Sequence, residues 1–401
     1  MKNLISIPMP FVFFILFLPW TETYAQISKK THFNFPSIKF SNLPPKLNHL
    51  LCLYTFQRDP VLQKLSFNDF AKLLPFNKNK KFRPHPSHIG AVQLMDTLDF
   101  GSKLGVIHQD QFHLKNLRES PVPMGNPKFL KNFLSFCRQT YPAHSYSLIL
   151  QGHGQNILLE PDLNNHHDLL SIREIKTTLE ELNLPLTFIG FDNCLMSSLE
   201  TLYEIRNSAP FVLAFEDYCP NVGIVSEKLV PLLGQIHPQS SQDELRKILI
   251  DCAKPFSQFH KNKKGNCDIS VIESNFIEPL ADFLTDHPLR ASNFQQDFCI
   301  DKTDAEVGFD LYQVIVQSIN HSKKQKEKFK RLFKKTVPYY AANLAKINSL
   351  PDFPHHGISI LGPINEKKLK KEEWGKVFVR EYKKLELTKK LNPKNVSFSK
   401  P

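Results

Sequence analysis

The chain has 401 residues, of which 41% are hydrophobic and 22% charged, an ordinary globular composition with enough length for one large core or two modest ones. Its net charge of +12 comes from 51 Lys and Arg against 39 Asp and Glu, a balance that favours anionic partners. The excess sits in lysine clusters at 78–81, 261–264, 323–335 and 367–371, with few aromatic residues interleaved and no nucleic-acid motif, so a solvated basic face is expected and no nucleic-acid partner.

The amino terminus has the pattern of an export signal. Lys2 provides the positive start, residues 11–18 an apolar centre, and Thr23-Tyr24-Ala25 a small-residue cleavage site before Gln26. The apolar run is too short to span a bilayer and is interrupted by Pro8, Pro10 and Pro19, so no transmembrane segment is expected in the mature form. Residues 1–25 are therefore expected to be a signal peptide. The product would be secreted, periplasmic or on the cell surface. Residues 26–46, rich in Pro, Asn, Ser and Lys, read as a linker or short pro-segment ahead of a domain over 47–365. Residues 366–401 read as a basic carboxy-terminal tail, with at most one terminal helix.

From His49 onward strands and helices alternate. Residues 50–56 form a buried-strand run, followed by a helical stretch through Leu74. A second strand is expected over 89–94 and a short hairpin partner over 103–108. Asn126 is placed to cap a helix that begins with Pro127 and carries Phe129, Phe133 and Cys137 on one face. A strand over 146–150 runs into His153. Ser171-Ile172-Arg173-Glu174 is a capping-box signature, with Ile172, Ile175, Leu179 and Leu182 at helical spacing. A strand over 186–191, a helix over 195–207 and a strand over 211–215 follow. Beyond residue 225 the pattern predicts a strand over 267–273, helices over 309–319 and 323–347, and a last strand over 357–361. Alternation at this spacing implies an α/β fold with parallel pairing and helices on both faces of the sheet.

In such sheets functional groups gather at the carboxyl ends of the strands, where His153, Asp192, Cys194, Glu216 and Asp217 all fall. A thiol and an imidazole at the ends of successive strands are the parts of a cysteine nucleophile and its proton shuttle. If the helix began directly after Cys194, its positive end would lower the thiol pKa. The backbone N–H groups of Cys194 and of Gly154, which has no side chain in the way, are placed to receive an oxyanion. Taken singly, a cysteine at a strand–helix junction is as a rule a small buried hydrophobe, and a histidine beside glycine a turn residue. The sequence holds 16 histidines, so spacing alone does not decide.

The seven cysteines have irregular spacing, and their odd number leaves at least one unpaired if the others pair. Cys52 and Cys137 fall in apolar patterns and read as core residues. With no Cys-x-x-Cys and no His-Glu-x-x-His, no dedicated zinc site is expected. Gly357-Ile358-Ser359-Ile360-Leu361-Gly362 is not a serine nucleophile elbow, because its second glycine comes one place late.

Phe191-Asp192-Asn193-Cys194-Leu195-Met196 resembles the nucleophile motif of the clostripain family of cysteine peptidases, and residues 147–154, ending Gln151-Gly152-His153-Gly154, resemble that family's histidine motif. Met124-Gly125-Asn126-Pro127, Tyr141-Pro142-Ala143, Asp310-Leu311-Tyr312 and Gly357-Ile358-Ser359-Ile360 resemble further segments in the same order, covering roughly Leu50 to Pro363. The resemblance implies a caspase-like three-layer α/β/α sandwich with a mostly parallel central sheet, related in architecture to gingipains, legumain and caspases. It implies an endopeptidase acting on polypeptides after a basic P1 residue, Arg above Lys, with His153 and Cys194 as the dyad. Asp192 would line the P1 pocket, with Glu216 or Asp217 as a second acid. The chemistry would need no cofactor, whereas calcium is a requirement of many members, as is self-cleavage between histidine and cysteine, for which Arg173 and Lys176 are the basic residues at hand. Glu160-Pro161-Asp162-Leu163-Asn164 is oxygen-rich without forming a known calcium loop. Two segments depart from the family pattern. No Trp follows His153-Gly154, and Tyr218-Cys219-Pro220 carries an extra cysteine. The rival readings are a catalytically weak peptide-binding member and a non-enzymatic basic surface-binding protein.

Overall fold

The computed structural model describes residues 35–36, 46–57, 88–97, 101–108, 111–117, 122–160, 169–219, 223–224, 229–260, 267–295, 299–300, 308–318, 320–343, 355–362, 364, 366–370 and 373–391. The expected leader, nearly all of the 26–46 linker, the helix expected through Leu74, the lysine clusters at 78–81 and 261–264, residues 161–164 and the last ten residues lie outside these.

The described chain runs β1 (Leu47–Gln57), β2 (Ile89–Thr97), β3 (Gly101–His108), β4 (Gln111–Asn116), α1 (Pro127–Thr140), β5 (Ala143–Gln151), β6 (His153–Gln155), β7 (Leu158–Glu160) and β8 (Leu170–Ser171). It continues with α2 (Ile172–Leu182), β9 (Leu186–Asp192), α3 (Leu199–Ile205), β10 (Phe211–Ala214), α4 (Leu229–Leu233), α5 (Gln242–His260), β11 (Cys267–Glu273) and α6 (Ile277–Asp286). The last elements are β12 (Gly308–Asp310), α7 (Leu311–Val316), α8 (Lys323–Thr336), β13 (Tyr339–Asn343), β14 (Ser359–Leu361), α9 (Glu366–Leu369), α10 (Glu373–Tyr382) and α11 (Glu386–Lys390).

A central sheet in the order β13-β11-β10-β9-β5-β1-β2-β3-β4 organises the molecule. The block β10-β9-β5-β1-β2 is parallel throughout, and the outer strands on both sides add antiparallel. Parallel strands covered on both faces read as unbroken apolar runs, which is why β1, β5 and β9 stand out in the sequence. Side chains alternate between two cores. Leu50, Cys52, Tyr54 and Phe56 of β1 pack with α1, α2, α3 and the carboxy-terminal helices, whereas Leu51 and Leu53 pack on the opposite face with α4 and α5. The result is a three-layer α/β/α sandwich with one thick helical layer and one thin one among the described residues.

The local signals mostly act as read. Asn126 caps α1 by accepting from the Lys128 N–H at 3.0 Å. Ser171 and Glu174 form a reciprocal capping box, the Ser171 N–H reaching the Glu174 carboxylate at 2.9 Å. Cys52, Cys137 and Cys252 are buried and outside any disulfide. Three expectations change. The segment from 309 begins as β12 and becomes a helix only at Leu311, where Asp310 caps it by accepting from the Gln313 N–H at 2.7 Å. The basic helix from Lys323 stops at Thr336, and β13 follows. The final strand β14 pairs with β12 in a separate two-stranded sheet.

The lysine-rich segment after residue 365 is also folded through Leu391. Phe378, Leu385 and Leu387 are buried in the main core, and the lysines lie on the outer face of these short helices. Glu386 pairs with Lys176 of α2 and, at 3.1 Å, with Arg206 after α3, and Lys390 pairs with Glu278 and Asp282 of α6. Arg173 reaches Glu381 at 3.3 Å. No described helix is long and apolar enough to cross a membrane.

Candidate active site

The last register pair of β5 and β9 is Gln151 with Asp192. Immediately beyond it both chains turn. Gly152 has φ +150°, and a Cβ there would lie 2.3 Å from the Phe56 ring, so only glycine fits. His153 and Gly154 then form β6, which folds back on β7. The Asn193 side-chain amide donates to the His153 carbonyl at 3.4 Å. A Cβ on Gly154 would stand 2.7 Å from that of Asn193 and 2.9 Å from the Cys194 carbonyl oxygen. The His153-Gly154 backbone therefore lies directly against the Asn193-Cys194 turn. His153 is half-buried, with its Nε2 out of solvent.

The turn at Cys194 differs from the expected helix. Helix α3 begins at Leu199, capped by Ser198, whose hydroxyl accepts from the Thr201 N–H at 3.3 Å. Between Cys194 and that cap, the Leu195 N–H donates to the Asp217 carbonyl at 3.3 Å and the Ser197 N–H to the Phe215 carbonyl at 2.9 Å. Bonds to the segment after β10 thus hold this stretch out of the helix. Leu195 sits at φ +61°, a strained conformation for a branched side chain, fixed by its burial. Without a helix end next to it, the sulfur receives one backbone donor instead, the Cys219 N–H at 3.4 Å. Cys219 is itself in a disulfide.

Burial pushes the Cys194 thiol up to about 11, and the carboxylates of Asp217, Asp192 and Asp268 push the same way, the Cys219 N–H opposing them. The Cys194 thiol therefore rests protonated, contrary to the depressed pKa expected from a helix terminus. To act as a nucleophile it would need a base and a change of electrostatic surroundings.

Asp192 is half-buried at the sheet edge and accepts from the Gln151 side-chain amide at 2.8 Å. Asp217 is also half-buried, with Oδ2 3.5 Å from His355 Nε2. Glu216 behaves differently from the expected substrate contact. It has no exposed surface, and its Oε2 accepts the N–H groups of His356 at 3.1 Å and Gly357 at 2.5 Å. Burial, together with neighbouring Asp310 and Asp268, raises Glu216 well above the carboxylate range. Its Oε2 is committed to the backbone of residues 356–357 rather than turned to solvent.

Three further acids act at this end of the sheet, and the sequence singled out only Asp310, as part of a resembling segment and without this role. Asp268 accepts the Glu216 N–H at 2.9 Å and the Asp217 N–H at 3.1 Å, fixing the turn after β10; burial raises it to about 6. Asp310, while capping α7, accepts the His356 N–H at 2.8 Å and lies 3.1 Å from its Nδ1. Glu200, raised by burial to about 7, accepts the Leu361 N–H with both oxygens, at 3.1 and 3.2 Å. The sequence signal available for Asp268 was a lone acid in an apolar strand, and for Glu200 a lone acid on a helix otherwise apolar at its start. Among the described residues no group of three or more His, Cys, Asp or Glu side chains is disposed to hold a metal ion.

The profile of the clostripain family matches residues 92–345 of this chain. A stretch of 98 residues is 33% identical to clostripain from Hathewaya histolytica, covering 21% of this chain and 18% of that protein. The chain thus spans under a fifth of that curated relative. Among solved structures, an inactive zymogen C11 protease from Parabacteroides distasonis superposes with TM-score 0.66 at 17% identity, covering 87% of this chain and 99% of that one. A secreted C11 cysteine protease from Bacteroides thetaiotaomicron, in complex with an irreversible peptide inhibitor, superposes with TM-score 0.65 at 18% identity, covering 87% and 100%. At these identities the likeness carries the fold alone.

Proposed function

Since this chain belongs to the clostripain family of cysteine peptidases, we propose that it is an exported cysteine endopeptidase that cleaves polypeptides after basic P1 residues, with Cys194 as nucleophile and His153 as proton shuttle. The observation that carries this reading is the packing of the His153-Gly154 backbone against the Asn193-Cys194 turn, with Asp192 and Asp217 flanking the thiol. His153 takes the Cys194 proton as the sulfur attacks the scissile carbonyl, and the N–H groups of Cys194 and Gly154 receive the oxyanion. His153 then protonates the departing amine, and water, deprotonated by His153, releases the acyl group. Asp192 and Asp217 pair with the P1 cation, Arg above Lys because a guanidinium fork meets a carboxylate through two hydrogen bonds. Glu216 supports this pocket from below through residues 356–357. Export is supported by the leader pattern of residues 1–25 and by the description of one structural relative as secreted.

The test is hydrolysis of matched peptides with Arg, Lys or a neutral residue at P1, by wild type and Cys194→Ala, with and without calcium. Turnover of the Arg peptide, lost in Cys194→Ala, is expected. No turnover under any condition, with no labelling of Cys194 by a P1-Arg electrophile, would remove the peptidase reading, and preference for a neutral P1 would remove the role of Asp192.

A further inference from the structure

A row of three uncharged polar side chains, all fully buried, crosses the carboxyl edge of the sheet and ends on Asp192. Gln93 of β2 donates through its amide to the Thr55 hydroxyl oxygen at 2.9 Å, Thr55 of β1 donates to Gln151 Oε1 at 2.7 Å, and Gln151 of β5 donates to Asp192 Oδ2 at 2.8 Å. The strand register builds the row. Thr55 is paired with Gln151 and Gln151 with Asp192, while Gln93 is paired with Leu53, two places from Thr55 and so on the same face.

Buried polar groups are tolerated only when hydrogen-bonded, and apolar side chains would fill these positions at lower cost. The direction of the row is set from its acid end. An ionised carboxylate only accepts, so Gln151 must turn its NH2 towards Asp192 and its carbonyl towards Thr55. Thr55 must then spend its single proton on Gln151, which leaves its lone pairs for the Gln93 amide. One orientation makes every bond between members of the row, leaving only the Gln93 Oε1 at its far end without a partner among the described residues, and it holds the Asp192 carboxylate in a single place beside Cys194.

We propose that Gln93, Thr55 and Gln151 form a hydrogen-bonded relay of positioning residues that aims the Asp192 carboxylate at the P1 cation and so sets the preference for basic P1 residues. This rests on the reading of Asp192 given above. Gln151 acts directly on the acid, whereas Thr55 and Gln93 act through it and touch neither substrate nor nucleophile.

The experiment measures kcat and KM on a P1-Arg peptide, and the rate of Cys194 alkylation by iodoacetamide, for wild type, Asp192→Asn, Gln151→Met, Thr55→Val and Gln93→Met. Loss of a hydrogen bond to a charged group predicts a KM about tenfold higher in Gln151→Met and about threefold higher in Thr55→Val, with kcat and alkylation by iodoacetamide within about twofold for Thr55→Val. Gln93→Met, at the far end of the row, keeps the inference testable if a threonine substitution fails to fold, and is expected to raise KM in the same sense. If kcat, KM and alkylation all worsen together in the relay variants, the row is only structural and the inference is overturned. If Asp192→Asn raises KM but no relay variant does, the inference falls while the P1 reading stands. If Asp192→Asn leaves KM unchanged, the P1 reading fails and the inference with it.

Discussion

At the scale of single residues, Cys194, the proposed nucleophile, lies in surroundings that keep it protonated. Because the thiol sits near 11, its alkylation in the ligand-free protein should climb by about tenfold per pH unit through the neutral and mildly alkaline range without reaching a plateau. Asp217→Asn removes one of the charges responsible and should speed iodoacetamide labelling about three- to fivefold at about pH 9. A plateau near pH 7 in wild type, or an unchanged rate in the variant, would contradict this account of the resting thiol. His153, Cys194 and Asp192 were legible in sequence because each stands at the end of an apolar strand run. Asp268, Asp310 and Glu200 were not, since each acts on backbone more than 45 positions away and nothing local records that partner. Glu216 was legible as an acid at a strand end, but its burial was not.

At the scale of elements, the parallel strands were readable and the junctions less so. Helix α3 was placed too early because Leu195 and Met196 continue an apolar helical pattern, whereas the segment after β10 pulls their backbone out of it. Ser198 was the cap in plain sight. One turn on, Glu200 ties α3 to β14 through the Leu361 N–H. Its folded pKa of about 7 lies above its unfolded value of about 4.5. The folded state therefore holds this proton more tightly, so the contribution to stability is full below the unfolded value and is lost as pH rises through about 7. The difference amounts to at most about 3 kcal/mol. Glu200→Gln keeps an acceptor for Leu361 and carries no charge, so its melting temperature should gain on wild type between pH 5 and 8. Parallel curves for the two proteins would show that Glu200 does not titrate in this range.

For the whole molecule, the carboxy-terminal helices close the thick layer. Lysine density hid this, because the apolar positions Phe378, Leu385 and Leu387 are spread over two short helices and the link between them, and Leu385 stands between Lys384 and Glu386. Burial of such side chains is worth about 1.5–3 kcal/mol each, a large share of a domain's net stability. Removing residues 370–401 should lower the melting temperature by well over ten degrees, and mass spectrometry should then find cuts after Arg173 and Lys176, now stripped of Glu381 and Glu386. In the full chain, both residues lie in an intact, ion-paired helix, and trypsin should leave them uncut. Rapid cleavage there in the native protein would mean that α2 opens independently of this clasp.

On the function proposed here, the carboxylates around Cys194 would also make the nucleophile conditional on its cargo. Burial keeps the thiol protonated, and Asp217 and Asp192, while unneutralised, add to that. A guanidinium lodged between them would cancel that repulsion at the moment the scissile bond arrives. Recognition and arming would then be one electrostatic event, so that a peptide without a cation at that position would leave the thiol unarmed.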